Sequence, residues 1–272
     1  GGGGENATWD LNETDWATLE AQCGSSFDQY SDVAVLVVSR IGCEGGDLPR
    51  DMSQDGGAEG ENYQQLSQTE RELLEGAKAA GFRKIVVLLN TCNAMQMDFI
   101  NDESLGVNAC LAIGATGANG LEEVGKILSG AVNPSGHAVD TYVYDNFSAP
   151  AMQNFGDQRY ITADGELLGD AYAFINYGEG IYVDYKYYET RYEDKIMGTG
   201  NAGDYDYANT VAFPFGFGLS YTQFSYSDFT LTENEDGTQT VTATVTNTGN
   251  VAGKDAVGLY YQSPYTQYDK EN

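Results

Sequence analysis

The sequence predicts an α/β fold, with a mainly parallel sheet sandwiched by helices and followed by the beginning of an antiparallel β-sandwich. Three apolar runs predict the parallel sheet: Val33–Ser39, Lys84–Asn90 and residues 110–115. They are short, aliphatic and almost free of polar breaks, as is typical of strands buried on both faces. Helical periodicity lies between and after them, and the alternation of strand and helix is typical of a doubly wound sheet.

The helices are predicted from capping signals and from apolar spacing. Ser67 and Glu70 are the two ends of the tetrapeptide SQTE, which matches a capping box and places a helix start near Ser67. A second amphipathic helix is expected over residues 120–128. A weaker helical signal precedes the first strand, with Asn12 or Thr14 available as its N-cap.

The second half of the chain differs in composition. Residues 145–212 are rich in Tyr, Asp, Asn and Gly with little periodicity, which is typical of a functional loop or a connection that wraps around a core. The period then changes to two, and strands are expected at 224–231, 240–246 and 256–261 as the opening of a small antiparallel sandwich. We therefore predict one domain over residues 1–222 and a second, partial domain over 223–272.

Charge excludes several classes of partner. The 272 residues contain 41 acidic and 13 basic side chains, a net charge of −28, which repels nucleic acids and anionic membranes. No apolar run approaches the roughly 20 residues of a membrane helix. The chain begins GGGGENATW without a signal peptide, so the sequence does not decide between a cytoplasmic and a secreted protein.

The cysteines and the single histidine give no sign of a metal centre. The four cysteines form neither a CxxC pair nor a zinc spacing, and Cys92 and Cys110 are interpreted as small buried hydrophobic residues. His137 has no second ligand at a useful spacing, which favours a surface or structural role. The sequence thus calls for neither a metal nor a cofactor.

The candidate site lies in the turn after the first strand. Ligands in open α/β sheets bind beyond the carboxyl ends of the strands, and this turn holds Arg40, Gly42, Glu44 and Asp47. Glycines let a ligand approach the backbone closely, and a carboxylate placed among them is the best functional candidate in the sequence. A solvated acidic loop is the alternative interpretation of the same residues.

Four segments together resemble glycoside hydrolase family 3, the β-glucosidase and β-xylosidase family. They are VLVVSRIGCEGGDLP, NPSGHAVDTY, EGIYVDYKYYETRYED and FPFGFGLSYTQFSYS, and the resemblance runs from about residue 30 to residue 262. The long insertion ending YETRYEDKIMGTGNAGDYDYANTVAFPFGFGLSY is most similar to bacterial members that carry their barrel domain last. The resemblance implies that residues 1–222 are the family's α/β sandwich domain and that 223–272 open a fibronectin type III-like domain.

The resemblance also implies a mechanism. Members of this family are retaining: an Asp on the barrel attacks the anomeric carbon, and a Glu from a sandwich-domain loop acts as general acid and base. Glu44 occupies the position of that Glu, and Asp47 and Arg40 flank it as candidate substrate-binding residues. The implied substrate is a β-glucoside or an oligosaccharide with a terminal β-linked glucose-type residue.

Two departures limit what the resemblance implies. A barrel takes about 250 residues and nothing here repeats in that way, so the nucleophile is expected on a barrel domain outside this chain, from the same protein or from a second chain. Strand material expected before Val33 is also missing, and we expect a piece of a larger enzyme, with homo-oligomerisation left open. The alternative function is a non-catalytic carbohydrate-binding or interaction module. A nucleotide-binding protein is disfavoured because no glycine-rich phosphate motif follows a strand.

Overall fold

The protein is described by a computed structural model that covers residues 11–42, 48–154, 158–169 and 174–262. The described residues form two compact units. The first comprises residues 11–116 and 140–214, and the second comprises residues 117–139 and 215–262. The domain boundary expected at residues 222 and 223 stays a prediction.

Helices and strands alternate through the first half of the chain, as the sequence predicted. The described helices are α1 (Trp16–Cys23), α2 (Gln68–Ala79), α3 (Gly117–Leu128), α4 (Pro150–Asn154), α5 (Tyr185–Met197) and α6 (Tyr207–Thr210). The described strands are β1 (Val33–Ser39), β2 (Lys84–Asn90), β3 (Ala109–Ala112), β4 (Tyr142–Val143), β5 (Val211–Phe213), β6 (Phe224–Glu233) and β7 (Gln239–Asn247).

The first unit is built on a three-stranded parallel sheet with the order β1-β2-β3. Strand β1 pairs with β2 from Val33 opposite Lys84 to Ser39 opposite Asn90, and β2 pairs with β3 from Val86 opposite Ala109. The predicted α/β fold with a parallel sheet is confirmed. The third strand is shorter than expected, since its pairing ends at Ala112.

The core lies on one face of this sheet, where helix α2 packs against β1 and β2. Its fully buried members include residues of the sheet, of α2, of the segment before α2 and of the segment after β2: Val38, Leu66, Leu74, Val87, Met95 and Phe99. On the other face of β1, Val33, Val35 and Val37 are 45–48% exposed. The expectation that β1 is buried on both faces is therefore wrong, because successive side chains of a strand point to opposite faces and only one is covered.

Helix α2 begins with the predicted capping box. The Glu70 amide donates to Ser67 Oγ at 3.2 Å, and the Ser67 amide donates to Glu70 Oε2 at 2.8 Å. The cap of α1 differs from the expectation: Asp15, rather than Asn12 or Thr14, accepts the Thr18 amide at 2.9 Å. Asp15 lies directly before the first helical residue and therefore reaches the free amides of the first turn.

Residues 140–214 of the first unit contain more structure than the sequence indicated. The 13-residue helix α5 was not predicted, because its buried residues are two tyrosines and an aspartate and the repeat of apolar residues is weak. Tyr187 and Tyr188 on α5 pack with Val143 and Val211, which lie on the antiparallel pair β4–β5. Helix α5 ends at Gly198, which has a left-handed conformation (φ 66°).

The second unit contains α3 and the β6–β7 hairpin. The hairpin pairs antiparallel from Phe224 opposite Asn247 to Glu233 opposite Gln239, which confirms two of the predicted strands. Residues 256–261 form no strand and make no ladder pairing in the described chain, so the third predicted strand is wrong. His137 Nε2 lies 3.1 Å from Asp255 Oδ1 in this unit, in keeping with a structural role.

No helix in the described ranges is long and apolar enough to cross a membrane. Among the same residues, no three His, Cys, Asp or Glu side chains lie together as a metal site would require. Cys110 is partly buried, whereas Cys92 is exposed, contrary to the expectation that it is a buried residue. Cys92 follows the last residue of β2 by two positions, beyond the part of the apolar run that the sheet covers.

Candidate functional site

The candidate turn begins at the carboxyl edge of the parallel sheet. Strands β1 and β2 end side by side at Ser39 and Asn90, and the Arg40 amide extends the pairing by donating to the Asn90 carbonyl at 3.3 Å. Glu44 and Asp47, predicted as the catalytic and substrate-binding carboxylates, lie outside the described residues. The structure describes the chain up to Gly42, two residues before Glu44.

Arg40 is buried and uses all five of its side-chain N–H groups. Two of them donate to the Glu70 carboxylate, at 2.8 Å to Oε1 and 2.7 Å to Oε2. The other three donate to backbone carbonyl oxygens of Ser39, Tyr63 and Gln65, at 3.0, 2.6 and 2.7 Å. The guanidinium thus ties the end of β1 to the start of α2 and to the segment before it.

The next two residues are also held in place. The Ile41 amide donates to the Tyr63 hydroxyl at 3.0 Å. A Cβ atom placed on Gly42 would lie 3.0 Å from Asn93 Nδ2, so the Gly42 backbone lies directly beside that side chain. The chain is therefore anchored residue by residue up to the beginning of the candidate loop.

A cleft of about 280 Å³ lies in the first unit, beyond the carboxyl end of β2. Its polar lining includes residues from the segment after β2, from either side of β4, and from the position before α5 and the first turn of α5. The polar residues that line it include Asn93, Asp140, Thr141, Asn146, Asp184 and Tyr188.

Asp184 is held on one side of this cleft in an unusual conformation. Its backbone has φ 52° and ψ −132°, a combination of angles that residues other than glycine rarely adopt. Its carboxylate accepts the Thr141 amide at 2.7 Å and the Thr141 hydroxyl at 3.2 Å. The two hydrogen bonds fix the carboxylate and tie the start of α5 to the start of β4, which offsets the backbone strain.

Among the described residues, the Asp140 carboxylate accepts fewer hydrogen bonds than the Asp184 carboxylate. Among the described residues its carboxylate has no hydrogen-bond partner, and partial burial raises its pKa, with the nearby Asp184 charge adding to the effect. Tyr188 lines the cleft too, and burial raises its pKa to about 12, so its hydroxyl stays protonated. That hydroxyl lies 3.0 Å from Ser148 Oγ.

Sequence reasoning found the edge of the sheet but not the cleft. Arg40 lies at the expected edge of the sheet, but the sequence did not indicate that its guanidinium has no free donor. Asn93 could have been found by the rule that singled out Arg40, because it follows the next buried strand at the same edge. Nothing in the local pattern around Asp140 and Asp184 indicates that they converge from segments 44 residues apart.

The fold and the residues at the sheet edge agree with the comparison to protein families. Residues 21–185 match the glycosyl hydrolase family 3 C-terminal domain, and the chain belongs to this family. The match covers the parallel sheet, the edge that carries Arg40 and the described residues that line the cleft except Tyr188.

Two curated relatives are β-glucosidases. The chain is 30% identical to a β-glucosidase of Ruminococcus albus over 168 residues, covering 62% of this chain and 15% of that protein. It is 27% identical to β-glucosidase A of Butyrivibrio fibrisolvens over 262 residues, covering 89% of this chain and 29% of that protein. The chain thus spans less than a third of the length of either relative.

Solved structures of β-glucosidases share the fold. The enzyme from Paenibacillus barengoltzii superposes with a TM-score of 0.64 at 28% identity, over 89% of this chain and 22% of that chain. β-Glucosidase 3B from Thermotoga neapolitana, solved in complex with glucose, superposes with a TM-score of 0.61 at 27% identity, over 89% of this chain and 28% of that chain.

Proposed function

We propose that this chain supplies the general acid and base of a retaining β-glycosidase that hydrolyses terminal β-linked glucose-type residues. The observation that carries the proposal is the family match over residues 21–185, together with β-glucosidases as the curated relatives. Within that match, Glu44 follows the end of β1 by five positions in the sequence, and open α/β sheets bind their ligands beyond the carboxyl ends of their strands.

Glu44 is proposed to protonate the leaving oxygen and then to activate water. The nucleophile that this chemistry also needs is proposed to come from a barrel domain, as the resemblance implies, because retaining enzymes place two carboxyl groups about 5 Å apart. The barrel would belong to the same protein or to a second chain. Glu44 requires a raised pKa in the assembled site, so that it is protonated when the glycosidic bond breaks.

Arg40 is proposed to position the catalytic loop rather than to contact the sugar. Its five donors are already used by Glu70 and by three carbonyl oxygens, so none is left for a hydroxyl group of the substrate. Such a buried anchor restricts the direction in which the chain leaves β1 and hence the place that Glu44 can reach. Asp47 remains the proposed substrate-binding carboxylate of the loop.

The test uses Glu44→Gln in the full reading frame that contains these residues. Hydrolysis of substrates with poor leaving groups should fall by about two to four orders of magnitude, since their departure needs protonation. Activated aryl glucosides need little protonation, so formation of the glycosyl-enzyme should suffer far less.

Added azide should restore turnover of the activated substrates, because it attacks the glycosyl-enzyme without a general base. Glu59→Gln, an exposed carboxylate outside the turn, is the matched control and should leave all rates unchanged. Full activity of Glu44→Gln on poor leaving groups, or no response to azide, would refute the assignment. Saturable glucoside binding without hydrolysis by any form of the protein would favour a non-catalytic binding module instead.

A further inference from the structure

The cleft beyond β2 has no role in the proposed function, yet it contains polar groups that lack partners. We propose that this cleft binds a neutral, polyhydroxylated ligand of the size of one hexose, held between Asp140 and Asn146. The choice of glucose as the probe rests on the proposed glycosidase function, whereas the site itself is argued from its hydrogen-bonding groups.

Two polar side chains of the cleft, Asp140 and Asn146, have groups that lack a hydrogen-bond partner among the described residues. The Asp140 carboxylate can only accept hydrogen bonds and has no donor among the described residues. Asn146 is 7% exposed, and its Nδ2 is a buried donor without an acceptor in the described structure. Asp140 is only partly buried, so the cost of a buried polar group without a partner falls on Asn146 Nδ2, and such groups are rare in native proteins. Hydroxyl groups can both donate and accept, so a polyol can satisfy both residues.

The charge of the lining also limits the ligand. Among the described residues that line the cleft, Asp140 and Asp184 are the acidic ones, and none is a Lys, Arg or His. A phosphate or a carboxylate would therefore meet two negative charges without compensation. A neutral ligand that donates to the Asp140 carboxylate offsets both the loss of solvation on burial and the repulsion by the Asp184 charge.

A bound divalent cation fits the same residues less well. Both oxygens of Asp184 already accept hydrogen bonds from Thr141, which leaves Asp140 as the carboxylate free to coordinate. Calcium takes about six to eight oxygen ligands, and the unpaired Nδ2 of Asn146 is a donor that repels a cation. The described residues also contain no cluster of three metal-binding side chains.

The size and the place of the cleft limit the ligand further. Its volume of about 280 Å³ lies at the lower end of small-molecule sites, which range from about 300 to 1,000 Å³, so one sugar ring suits it better than an oligosaccharide. Asn93 lines the cleft, and its side chain also lies beside the space that a Cβ atom on Gly42 would occupy. A ligand in the cleft would therefore lie against Asn93, the residue beside Gly42.

The experiment is a titration of the 272-residue chain with glucose at pH 7 by calorimetry. Saturable binding is expected. Asp140→Ala should weaken it at least about tenfold, since a hydrogen bond to a charged group is lost. Asp28→Ala, an exposed carboxylate of the same unit, should not change the affinity. Glucuronate should bind at least about tenfold more weakly than glucose, because its carboxylate meets Asp140 and Asp184.

A second measurement keeps the inference testable if Asp140→Ala does not fold. Asp140→Asn preserves the volume of the side chain, and glucose should bind to it several-fold more weakly. In the unsubstituted chain, bound glucose should lower the pKa of Asp140 in a carbon-detected NMR titration, because donors stabilise the carboxylate.

Three outcomes would overturn the inference: no saturable glucose binding, equal weakening by Asp28→Ala, or calcium binding that Asp140→Ala abolishes while glucose has no effect. The Glu44→Gln chain should bind glucose with unchanged affinity. Loss of hydrolysis without loss of glucose binding, or the reverse, therefore separates this inference from the proposed function.

Discussion

The guanidinium of Arg40 and the carboxylate of Glu70 form a two-pronged ion pair in which each side chain is only 1% exposed. Glu70 is also part of the capping box of α2, so one carboxylate serves the start of a helix and the end of a strand. Within the pair, Arg40 precedes Gly42, the last described residue before the candidate loop, by two positions. The strength of the pair therefore bears on both stability and the position of the loop.

Breaking this pair should be costly. Arg40→Met leaves the Glu70 carboxylate buried without its cation, and we expect a loss of about 3–5 kcal/mol in the free energy of unfolding. The double variant Arg40→Met/Glu70→Leu should recover part of this loss, because no charge is then buried alone. Recovery should be incomplete, since the carbonyl oxygens of Tyr63 and Gln65 still lack their donors.

Urea unfolding of the chain measures both variants. Arg83→Met is the matched control, because Arg83 pairs with Asp32 at the surface, where both side chains are more than 70% exposed. That change should cost no more than about 1 kcal/mol. Equal losses in the free energy of unfolding for Arg40→Met and Arg83→Met would show that the buried pair stabilises the protein no more than the surface pair does.

The contact between Trp16 and Gly76 predicts a substitution whose effect opposes helix propensity. Alanine is favoured over glycine inside a helix by about 1 kcal/mol. At Gly76, however, a Cβ atom would lie 2.0 Å from Cδ2 of the Trp16 ring. We expect Gly76→Ala to destabilise the protein by about 1–3 kcal/mol through overpacking, as measured by urea unfolding.

The control for this prediction removes the ring. In a Trp16→Ala background the clash is absent, and Gly76→Ala should then be neutral or stabilising by up to about 1 kcal/mol. A destabilising effect of the same size in both backgrounds would mean that the packing of α1 on α2 is not the cause.

The sequence predicted the parts of the fold whose signals are local. The aliphatic runs of β1 and β2 and the SQTE capping box of α2 each lie within a few residues, and all three were found. Helix α5 was missed because its buried residues are two tyrosines and an aspartate, which leave no clear apolar period. Residues 256–261 alternate as a strand does, but a strand also needs a neighbour, and these residues have no ladder partner in the described chain.

The candidate site could be predicted only in part for a similar reason. The edge rule for open sheets led to Arg40 and its turn, and the structure places Arg40 at that edge. Whether an arginine faces a ligand or a buried carboxylate depends on Glu70, thirty residues away, and no local pattern reports such a contact. The convergence of Asp140 and Asp184 depends in the same way on the hydrogen bonds of Thr141.

The exposure of the cysteines predicts which thiols react. Burial raises the pKa of the Cys110 thiol to about 12, so almost no thiolate is present at pH 7.5. Cys92 is exposed and should be modified by iodoacetamide at least about a hundredfold faster than Cys110, as followed by peptide mass spectrometry. In 8 M urea the two rates should converge. Similar rates in the folded chain would contradict the burial of Cys110.

Asp140 predicts a pH dependence of stability that one substitution should remove. Its pKa is raised in the folded protein, chiefly by burial and secondly by the charge of Asp184. A carboxyl group with a raised folded-state pKa binds its proton more tightly in the native state than in the unfolded state. Stability from this group is therefore largest below the ordinary pKa of 3.8, and it is lost as the pH rises through the folded-state value.

Asp140→Asn removes the charge, so the variant should gain melting temperature relative to the unsubstituted chain as the pH rises from 3 to 7. We expect a relative gain of only about 1–2 °C, because the group is partly exposed and solvent screens it. Scanning calorimetry across this pH range measures the difference, and Asp28→Asn, exposed in the same unit, should show none. A difference that is constant with pH would mean that Asp140 titrates normally and that Asp184 does not affect it. A relative loss of stability at pH 7 would instead mean that the Asp140 carboxylate has a donor in the folded protein.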